Sequence, residues 1–521
     1  MKQIIHIFRK DVRHLWREIS LSLVLVAIYV WSEPATWLSG AVASGLSGLA
    51  TRVSIAGLLT ELLPISWWLL VVRAVQDEAL VGDRQFWVTR PYEWKKLLTA
   101  KVLFIAAFVS APLLLAQLSL LWLAGFPPSL AQVPGILWMQ LMWALVLLVL
   151  ATLAAVTTGV GQMALVMLGI GAYFGVSSYL SDLLPRGVPR AEGIPDALAF
   201  AVPLGLCAAI AVWQYARRRT AKARMALVGA ALTPFLISAA TPHRFLVNRA
   251  YPEPASAQLA PVQLSFVPVN TRTPRSVFTT SPNTDKQTLI VLQPELHVTG
   301  VAAHSMLVAD GNRVEIEGPD GFRWDSGWGP DRLQFHDLAY FRYTFMLERT
   351  MYDRMKDVPV KLRISFALTD FDTQETQDVA VSNNEFAVNN LGLCGLLNHS
   401  WDITCRYALR RPGYIAAASA SQSTCPGVDR AQTSEGAKSE IWQPAYQSGL
   451  AEFGISPVHT INISMMNGTN KPLLCAGTPV TFTFPREIGR ARTSVEVDGI
   501  RLSDYRQSDD TSVPAGTRTV R

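Results

Sequence analysis

Long apolar runs dominate the first 242 residues of the chain. Seven of them approach the roughly 20 residues that a helix needs to cross a bilayer. They predict membrane spans at about 20–38, 55–74, 102–125, 135–157, 162–181, 197–215 and 225–241. The first run is interrupted by Glu33-Pro34, which places its outer end at the membrane interface. We therefore expect a polytopic α-helical membrane domain over 20–242.

The pattern changes after residue 242, where a period of two replaces the long runs. Alternation over Leu362–Leu368 and over Val480–Phe484 is typical of strands. Asp310-Gly311 and Asp498-Gly499 lie between apolar residues, and we interpret both as hairpin turns because glycine tolerates positive φ.

These strands predict an all-β, sandwich-like region over 288–510, built as one unit or as two with a break near 380–395. Residues 243–287 are expected to form a linker with one strand at Val262–Val269, and 511–521 a loose tail.

The segment 1–19 precedes the first span and shows a third pattern. An apolar stripe at helical spacing predicts an amphipathic helix on the membrane surface; its members are Ile4, Ile5, Ile7, Phe8, Val12, Leu15 and Trp16. A cleaved signal peptide is the competing interpretation. The charged stretch from Lys2 to Arg17 is too long for one, so we expect an uncleaved first span.

Basic residues set the expected orientation. With the N-terminus inside, the inner segments carry fifteen Lys and Arg, and the outer loops carry only Arg52, Arg186 and Arg190. Seven spans then place the β region outside the cytoplasm. The chain is expected to be a multi-pass protein of a bacterial cytoplasmic membrane, with a periplasmic β region if the cell is Gram-negative.

Composition agrees with a membrane protein. Of 521 residues, 50% are hydrophobic and 17% charged, and the mean hydropathy is +0.23. A soluble domain carries about 25% charge, so an ordinary cytosolic enzyme is excluded. The sequence pI is about 9.0. Because the basic residues lie between apolar runs, we interpret them as topology signals and expect no nucleic-acid partner.

The cysteines support the same placement. Cys207 lies in a span, whereas Cys394, Cys405, Cys425 and Cys475 lie in the β region. An even number outside the cytoplasm predicts two disulfides with open pairing, and four buried thiols are the alternative. The absence of C-x-x-C pairs argues against a zinc site.

Familiar catalytic motifs are absent from the chain. It has no G-x-x-x-x-G-K-[ST], H-E-x-x-H or G-x-S-x-G, so we expect no enzyme activity, cofactor or metal in this chain. His297 and His304 lack a third ligand. Asp370 and Asp372 could serve acid–base chemistry or calcium, but a solvated strand end is the favoured interpretation.

Glu61 is the polar candidate within the membrane, because a carboxyl group in the second span is costly. A structural role, with the group protonated and hydrogen-bonded to a neighbouring helix, is the alternative. Interfacial belts attract tryptophan, which accounts for most of the tryptophans in this half; these are Trp31, Trp37, Trp67, Trp68, Trp122, Trp138, Trp143 and Trp213.

The loop between the second and third spans combines acidic, basic and aromatic residues. It reads Leu80-Val-Gly-Asp-Arg-Gln-Phe-Trp-Val-Thr-Arg-Pro91, and Arg84, Phe86, Trp87 and Arg90 are anchors of the kind enriched at protein interfaces. The alternative is that these side chains touch lipid headgroups.

An interfacial helix, a first span and this loop together resemble the membrane subunit of type 2, exporter-like ABC transporters over residues 1–220. The resemblance implies a permease-like subunit whose loop docks on a separate cytoplasmic ABC ATPase. It also implies a second permease chain, identical or related. The usual subunit has six spans and no large β domain, and this chain departs from it in both.

Two other functions compete with transport. One is a membrane-anchored protein whose outer β region binds a ligand or partner without transport. The other is a membrane enzyme that uses Glu61 or the outer carboxylates.

Overall fold

The computed structural model describes residues 2–38, 47–77, 93–127, 129–183, 188, 191, 193–253, 262–268, 289–331, 333–335, 339–382, 385–389, 391–396, 402–409, 415–420, 437–442, 454–464 and 474–506. The chain forms two compact units. The first comprises Met1–Ser178, Pro195–Ala240 and Thr376–Phe484. The second comprises Tyr179–Ile194, Thr241–Glu375 and Pro485–Arg521.

Helices form most of the first 250 residues. They are α1 (Lys2–His14), α2 (Trp16–Ser32), α3 (Ser47–Gln76), α4 (Trp94–Ile105), α5 (Ala111–Leu123), α6 (Val133–Val156), α7 (Val160–Leu183), α8 (Gly193–Arg217), α9 (Thr220–Ala240) and α10 (His243–Ala250). A π turn at Ala106–Ser110 joins α4 to α5. Pro112 explains it, because proline cannot donate to the carbonyl four residues earlier and its ring clashes there.

Among the described residues, six helical segments are long and apolar enough to cross a membrane. They are Trp16–Trp37, Ala50–Gln76, Trp94–Leu123, Leu130–Val156, Gly193–Arg217 and Thr220–Ala240. The predicted membrane-type helical part is therefore confirmed. The fifth predicted span lies on α7, whose described apolar part, Val160–Tyr173, is shorter than a span. The count of seven stays a prediction.

The second unit takes its strands from the parts of the chain before and after an inserted region, and ten strands precede that region in sequence. They are β1 (Gln263–Val267), β2 (Leu289–Leu292), β3 (Glu295–Thr299), β4 (Ser305–Glu317), β5 (Arg323–Asp325), β6 (Gly329–Pro330), β7 (Gln334–Phe335), β8 (Tyr340–Arg342), β9 (Phe345–Glu348) and β10 (Val360–Asp372). Helix α11 (Arg349–Met355) separates the last two.

The inserted region, residues 376–484, belongs to the first unit. Its strands are β11 (Thr376–Ala380), β12 (Phe386–Val388), β13 (Gly392–Leu396), β14 (Asp402–Ala408), β15 (Ile415–Ala420), β16 (Ala437–Trp442), β17 (Val458–Ser464) and β18 (Pro479–Thr483). They form two four-stranded sheets, ordered β11-β18-β15-β16 and β12-β13-β14-β17. Strand β19 (Arg486–Ile500) then returns the chain to the second unit.

The main sheet of the second unit is ordered β19-β10-β4-β5, and β6 and β7 also pair with β4. Strand β10 pairs with β19 along its whole length, from Val360 opposite Ile500 to Asp372 opposite Arg486. The chain therefore leaves β10 and enters β19 at the same end of this strand pair. A three-stranded sheet, β1-β3-β8, and the pair β2-β9 complete the second unit's described strands.

The two alternating patterns found in the sequence are confirmed as half-buried strands. The inward side chains of β10 are at most 2% exposed; they are Val360, Leu362, Ile364, Phe366 and Leu368. Val480 and Phe482 on β18 are fully buried, and Phe484 follows them into the core. Most buried apolar β residues belong to one of two cores, one formed by residues 290–368 with Val495 and Leu502 and one formed by the inserted region.

The Asp310-Gly311 hairpin prediction is wrong. Strand β4 continues through it, and the register shifts between Ala367 and Leu368 of β10, so Asp310 is the extra residue of a β-bulge. Its carboxylate accepts hydrogen bonds from Tyr251 Oη, at 2.8 Å, and from Thr369 Oγ1. Position 311 requires glycine because Val188 lies close to the backbone there. A Cβ at this position would lie 2.4 Å from Val188 Cγ2.

The Asp498-Gly499 prediction is wrong for a related reason. Gly499 has a φ of +75°, but it lies at the register shift between Val360 and Leu362, near the end of β19. Glycine's tolerance of positive φ is used here in a bulge and not in a hairpin turn.

The segment 243–287 contains more structure than a linker. The strand expected at Val262–Val269 is present as β1. Helix α10 is followed by Tyr251, which is fully buried and whose carbonyl accepts from Arg492 Nε at 2.8 Å. This helix is thereby fixed to β19 within the second unit.

One disulfide joins Cys394 to Cys405, which face each other on β13 and β14. Cys475 is also disulfide-bonded, and Cys425 lies outside the described residues. Cys207 is a buried free thiol, as its position in an apolar helix predicts.

We predict that Gly311→Ala destabilises the second unit by about 1–3 kcal/mol, because the added methyl overpacks against Val188 and the carbonyl of Gly329. Hydrogen exchange of β4 and β10 peptides in the full-length protein measures the loss. Gly318→Ala is the matched control, because its Cβ would make only ordinary contact with Phe322, at 3.7 Å. Equal protection in both variants would contradict the account of Gly311.

Candidate functional site

The predicted docking residues Arg84, Phe86, Trp87 and Arg90 lie outside the described residues, but both flanks of their segment are described. The segment 78–92, here called the first loop, begins after α3 and Asp77 and ends before Glu93 and α4. The first loop thus connects α3 to α4.

Helix α1 contacts the α3 flank of the first loop through polar side chains. Lys10 Nζ lies 3.1 Å from Asp77 Oδ2, and His14 Nε2 lies 3.4 Å from Asp77 Oδ1. One turn earlier, Arg73 pairs with Glu18 at 3.5 Å. These partly exposed pairs are individually weak, but they bring three residues of the N-terminal segment to the end of α3.

On the α4 flank, the contact is a buried ion pair. Lys101 Nζ lies 2.8 Å from Asp11 Oδ2, and the two side chains are 3% and 0% exposed. The ring of Phe8 packs at the same interface. Its centroid lies 6.4 Å from that of Phe104 and 5.9 Å from that of Phe108. Removing either charge would strand the other in an apolar setting, which is costly.

Sequence reasoning missed both members of this pair. By sequence alone, Lys101 is one of the basic residues that set the orientation of the spans. The available signal was the spacing Ile7, Asp11, Leu15, which places a carboxylate on the buried face of α1. The helix predicted over 1–19 is present as α1, and part of its apolar face covers α4; its place on the membrane surface stays a prediction.

A second polar cluster lies at the opposite end of α2, about 25 Å from α1 along the helix. Glu33 follows α2 and is only 8% exposed. Tyr29 and Ser456 of the inserted region lie next to its carboxyl group. Among the described residues, no cation forms an ion pair with Glu33.

Residues 454–458 pack at this end among the helices. Gln117 Nε2 donates to the carbonyl of Ile455, and Trp143 Nε1 donates to that of Gly454, both at 3.4 Å. Gln140 Nε2 also donates to Gln117 Oε1 at 2.9 Å. Ile455 and Val458 belong to the same buried apolar cluster as the spans.

Three tryptophans depart from the interfacial interpretation. Trp37, Trp67 and Trp143 are at most 6% exposed, and the last two meet edge to face with centroids 5.0 Å apart. Trp67 Nε1 has no acceptor among the described residues. Trp31, Trp122 and Trp138 remain exposed, as a lipid interface favours.

Glu61 lies near the middle of α3 with an exposed side chain. Neither ion pair nor hydrogen bond to its carboxylate occurs among the described residues. The structure therefore brings Glu61 into neither polar cluster.

The outer carboxylates have structural partners. Asp370 is buried and accepts from Ser305 Oγ, and burial raises the pKa of its carboxyl above the usual 3.8. Asp372 accepts from the backbone of Gln374 at 3.0 Å. Within the described ranges, no group of three or more His, Cys, Asp or Glu could hold a metal ion.

Comparison with known proteins gives the helical part a family-level likeness. A family model described as "Protein of unknown function (DUF2705)" matches residues 23–202. No curated protein matches the chain.

Among solved structures, a red sea bream transglutaminase is similar at 10% identity, with a TM-score of 0.13. The match covers 51% of this chain and 35% of that structure, so the chain spans about a third of it. Its low TM-score carries no inference about this chain.

We predict that Asp11→Ala releases α1 from α4 and costs about 3–5 kcal/mol, because Lys101 is left buried without its counter-charge. Hydrogen exchange of α1 peptides in detergent-solubilised protein measures the release. Lys10→Ala is the control, with an expected cost of about 0–1 kcal/mol for a partly exposed pair. The double variant Asp11→Leu with Lys101→Met should restore protection; equal exchange in all variants would refute the account.

We predict that lowering the pH from 7 towards 4 stabilises the second unit through Asp370. The folded pKa of this carboxyl is raised, so the folded state takes up the proton first and stability rises as pH falls through that pKa. Asp325 has a lowered pKa, chiefly from its hydrogen bond with Arg313, and loses its contribution only below 3.8.

Hydrogen exchange of β10 peptides, corrected for intrinsic rates, tests this dependence. Asp370→Asn should abolish it, while Asp372→Asn should retain it. A pH dependence that survives in Asp370→Asn would assign it to another group.

Proposed function

We propose that the chain is a permease-like integral membrane subunit of an ABC transporter, with the first loop docking on a separate cytoplasmic ATPase. The observation that supports this most is the contact of α1 with both flanks of that loop, through Asp77 and Lys101. A loop that transmits force to the spans needs flanks that move as one body. The buried Asp11–Lys101 pair provides such a connection.

The proposal assigns the remaining parts as follows. A second permease chain, identical or related, completes the pathway, and membrane lipid surrounds the spans. The N-terminus lies in the cytoplasm, and the β-rich residues lie outside it. ATP-driven movement of the ATPase would act on α3 and α4 through the first loop and tilt the helices that follow.

The decisive experiment is co-purification in mild detergent from cells that encode the candidate ATPase. We predict that the double variant Arg84→Ala with Trp87→Ala loses the ATPase at least about tenfold, because aromatic and arginine anchors dominate such interfaces. The variant should still insert into the membrane. Retention equal to that of the unaltered chain would refute the docking role.

The control variant is Arg13→Ala with Trp16→Ala, which removes the same residue types from the N-terminal segment and leaves the first loop intact. It should retain the ATPase. If the unaltered chain recovers no ATPase while a known transporter survives the same solubilisation, the chain is a non-transporting membrane protein whose β-rich part binds a ligand or partner.

A further inference from the structure

The segment 454–458 is non-helical backbone within a helical bundle. Gln117 lies six residues before the end of α5 at Leu123, so its amide is about 9 Å from that end. Trp143 lies ten residues after the start of α6 at Val133, or about 15 Å inside. The carbonyls of Ile455 and Gly454 reach these two side chains. The segment thus enters the region that the spans would bury in a bilayer.

Irregular backbone is tolerated at membrane depth only where protein or a water-filled cavity satisfies its polar groups. Here the spans supply the partners. Gln117 and Trp143 donate to the two carbonyls, Glu33 and Tyr29 lie beside Ser456, and the Ser456 hydroxyl donates to the carbonyl of Val458 at 3.1 Å. Ile455, at 3% exposed, fills the apolar space between them. The helices therefore form a site that offers hydrogen-bond donors to backbone carbonyls and an apolar space for a side chain, as a short extended peptide needs.

The two hydrogen bonds from the spans to this segment are long for so buried a position, whereas Pro457, next to β17, accepts from the backbone of Leu409 at 2.7 Å. Both carbonyl bonds are 3.4 Å long, beyond the usual 2.7–3.2 Å range. Trp67 Nε1, 1% exposed and packed on Trp143, is a buried donor without an acceptor among the described residues. A site with spare donors and long bonds can exchange this segment for water or for another acceptor-bearing group.

We propose that residues 454–458 are a tethered plug, bound reversibly at a peptide-like site formed by Tyr29, Glu33, Gln117 and Trp143. The inserted region holds the plug at high effective concentration. Its release opens the end of the bundle remote from α1 and exposes a site for a ligand with carbonyl acceptors and a small apolar group. This inference requires only that the helices lie in a membrane and does not depend on transport.

Thiol labelling of the full-length protein in nanodiscs tests the plug. In a Cys207→Ser background, Ile455→Cys should react with a polar maleimide at least about tenfold more slowly than Thr460→Cys. Thr460 is the reference because it is exposed on the adjoining strand β17. Labelling of the two positions at equal rates would overturn the docked plug.

Reversibility is tested by weakening the site. Adding Gln117→Ala with Trp143→Phe should speed labelling at 455 by about tenfold or more, because each lost hydrogen bond is worth about a factor of five in the open fraction. Ser119→Ala, on an exposed face of α5, is the matched control and should change nothing. An unchanged rate at 455 in the weakened site would refute the proposal.

Hydrogen exchange separates release from misfolding. In Gln117→Ala with Trp143→Phe, carrying no added cysteine, exchange should rise in peptides covering 454–458 and stay constant in β13 and β14. Increased exchange throughout the inserted region would mean that these residues stabilise its fold, and the plug would be rejected.

Discussion

The absence of water in a bilayer is the constraint on which the helical part depends. A polar group that leaves water must find its partner within the protein or lose several kcal/mol. Two buried clusters meet this demand in different ways. At one end, Asp11 and Lys101 neutralise each other. At the other, Gln117 and Trp143 donate to carbonyls that lie more than 300 positions later in the chain, and Glu33 lies beside Ser456. The first arrangement fixes a helix, and the second binds a non-helical segment through two long hydrogen bonds.

The apolar runs predict the helical part well because length and hydrophobicity alone select segments that can cross a membrane. The buried polar residues were harder to find. Lys101 looks like a topology signal, and only its partner on α1 shows that it lies inside. Glu33 looks like the interruption of a span, and Ser456 belongs to a region that the sequence places outside the helices altogether. Glu61, which hydropathy singles out, joins neither cluster. Pairing over such distances leaves no local pattern in the sequence.

The strands were predictable where one face is buried, as on β10 and β18, because alternation follows directly from the pleat. The Asp-Gly pairs misled the prediction. Asp310 lies within a strand because Tyr251 and Thr369 hold its carboxylate, and Gly311 leaves room for Val188. Both partners of Asp310 are distant in sequence, at 251 and 369. A turn and a bulge use the same dipeptide, and tertiary contacts decide between them.

The pairing of β10 with β19 has a consequence for the time at which the second unit can form. Residues 373–485 separate the two strands, a stretch of 113 residues. At about 5–20 residues per second, the ribosome needs about 6–23 s to make that stretch. During this interval β10 can pair with β4, but its other edge has no strand beside it. An unpaired, largely apolar edge invites association with other chains. The rate of protein synthesis therefore limits how soon this sheet is completed. The inserted region has time to form its strands before β19 pairs with β10.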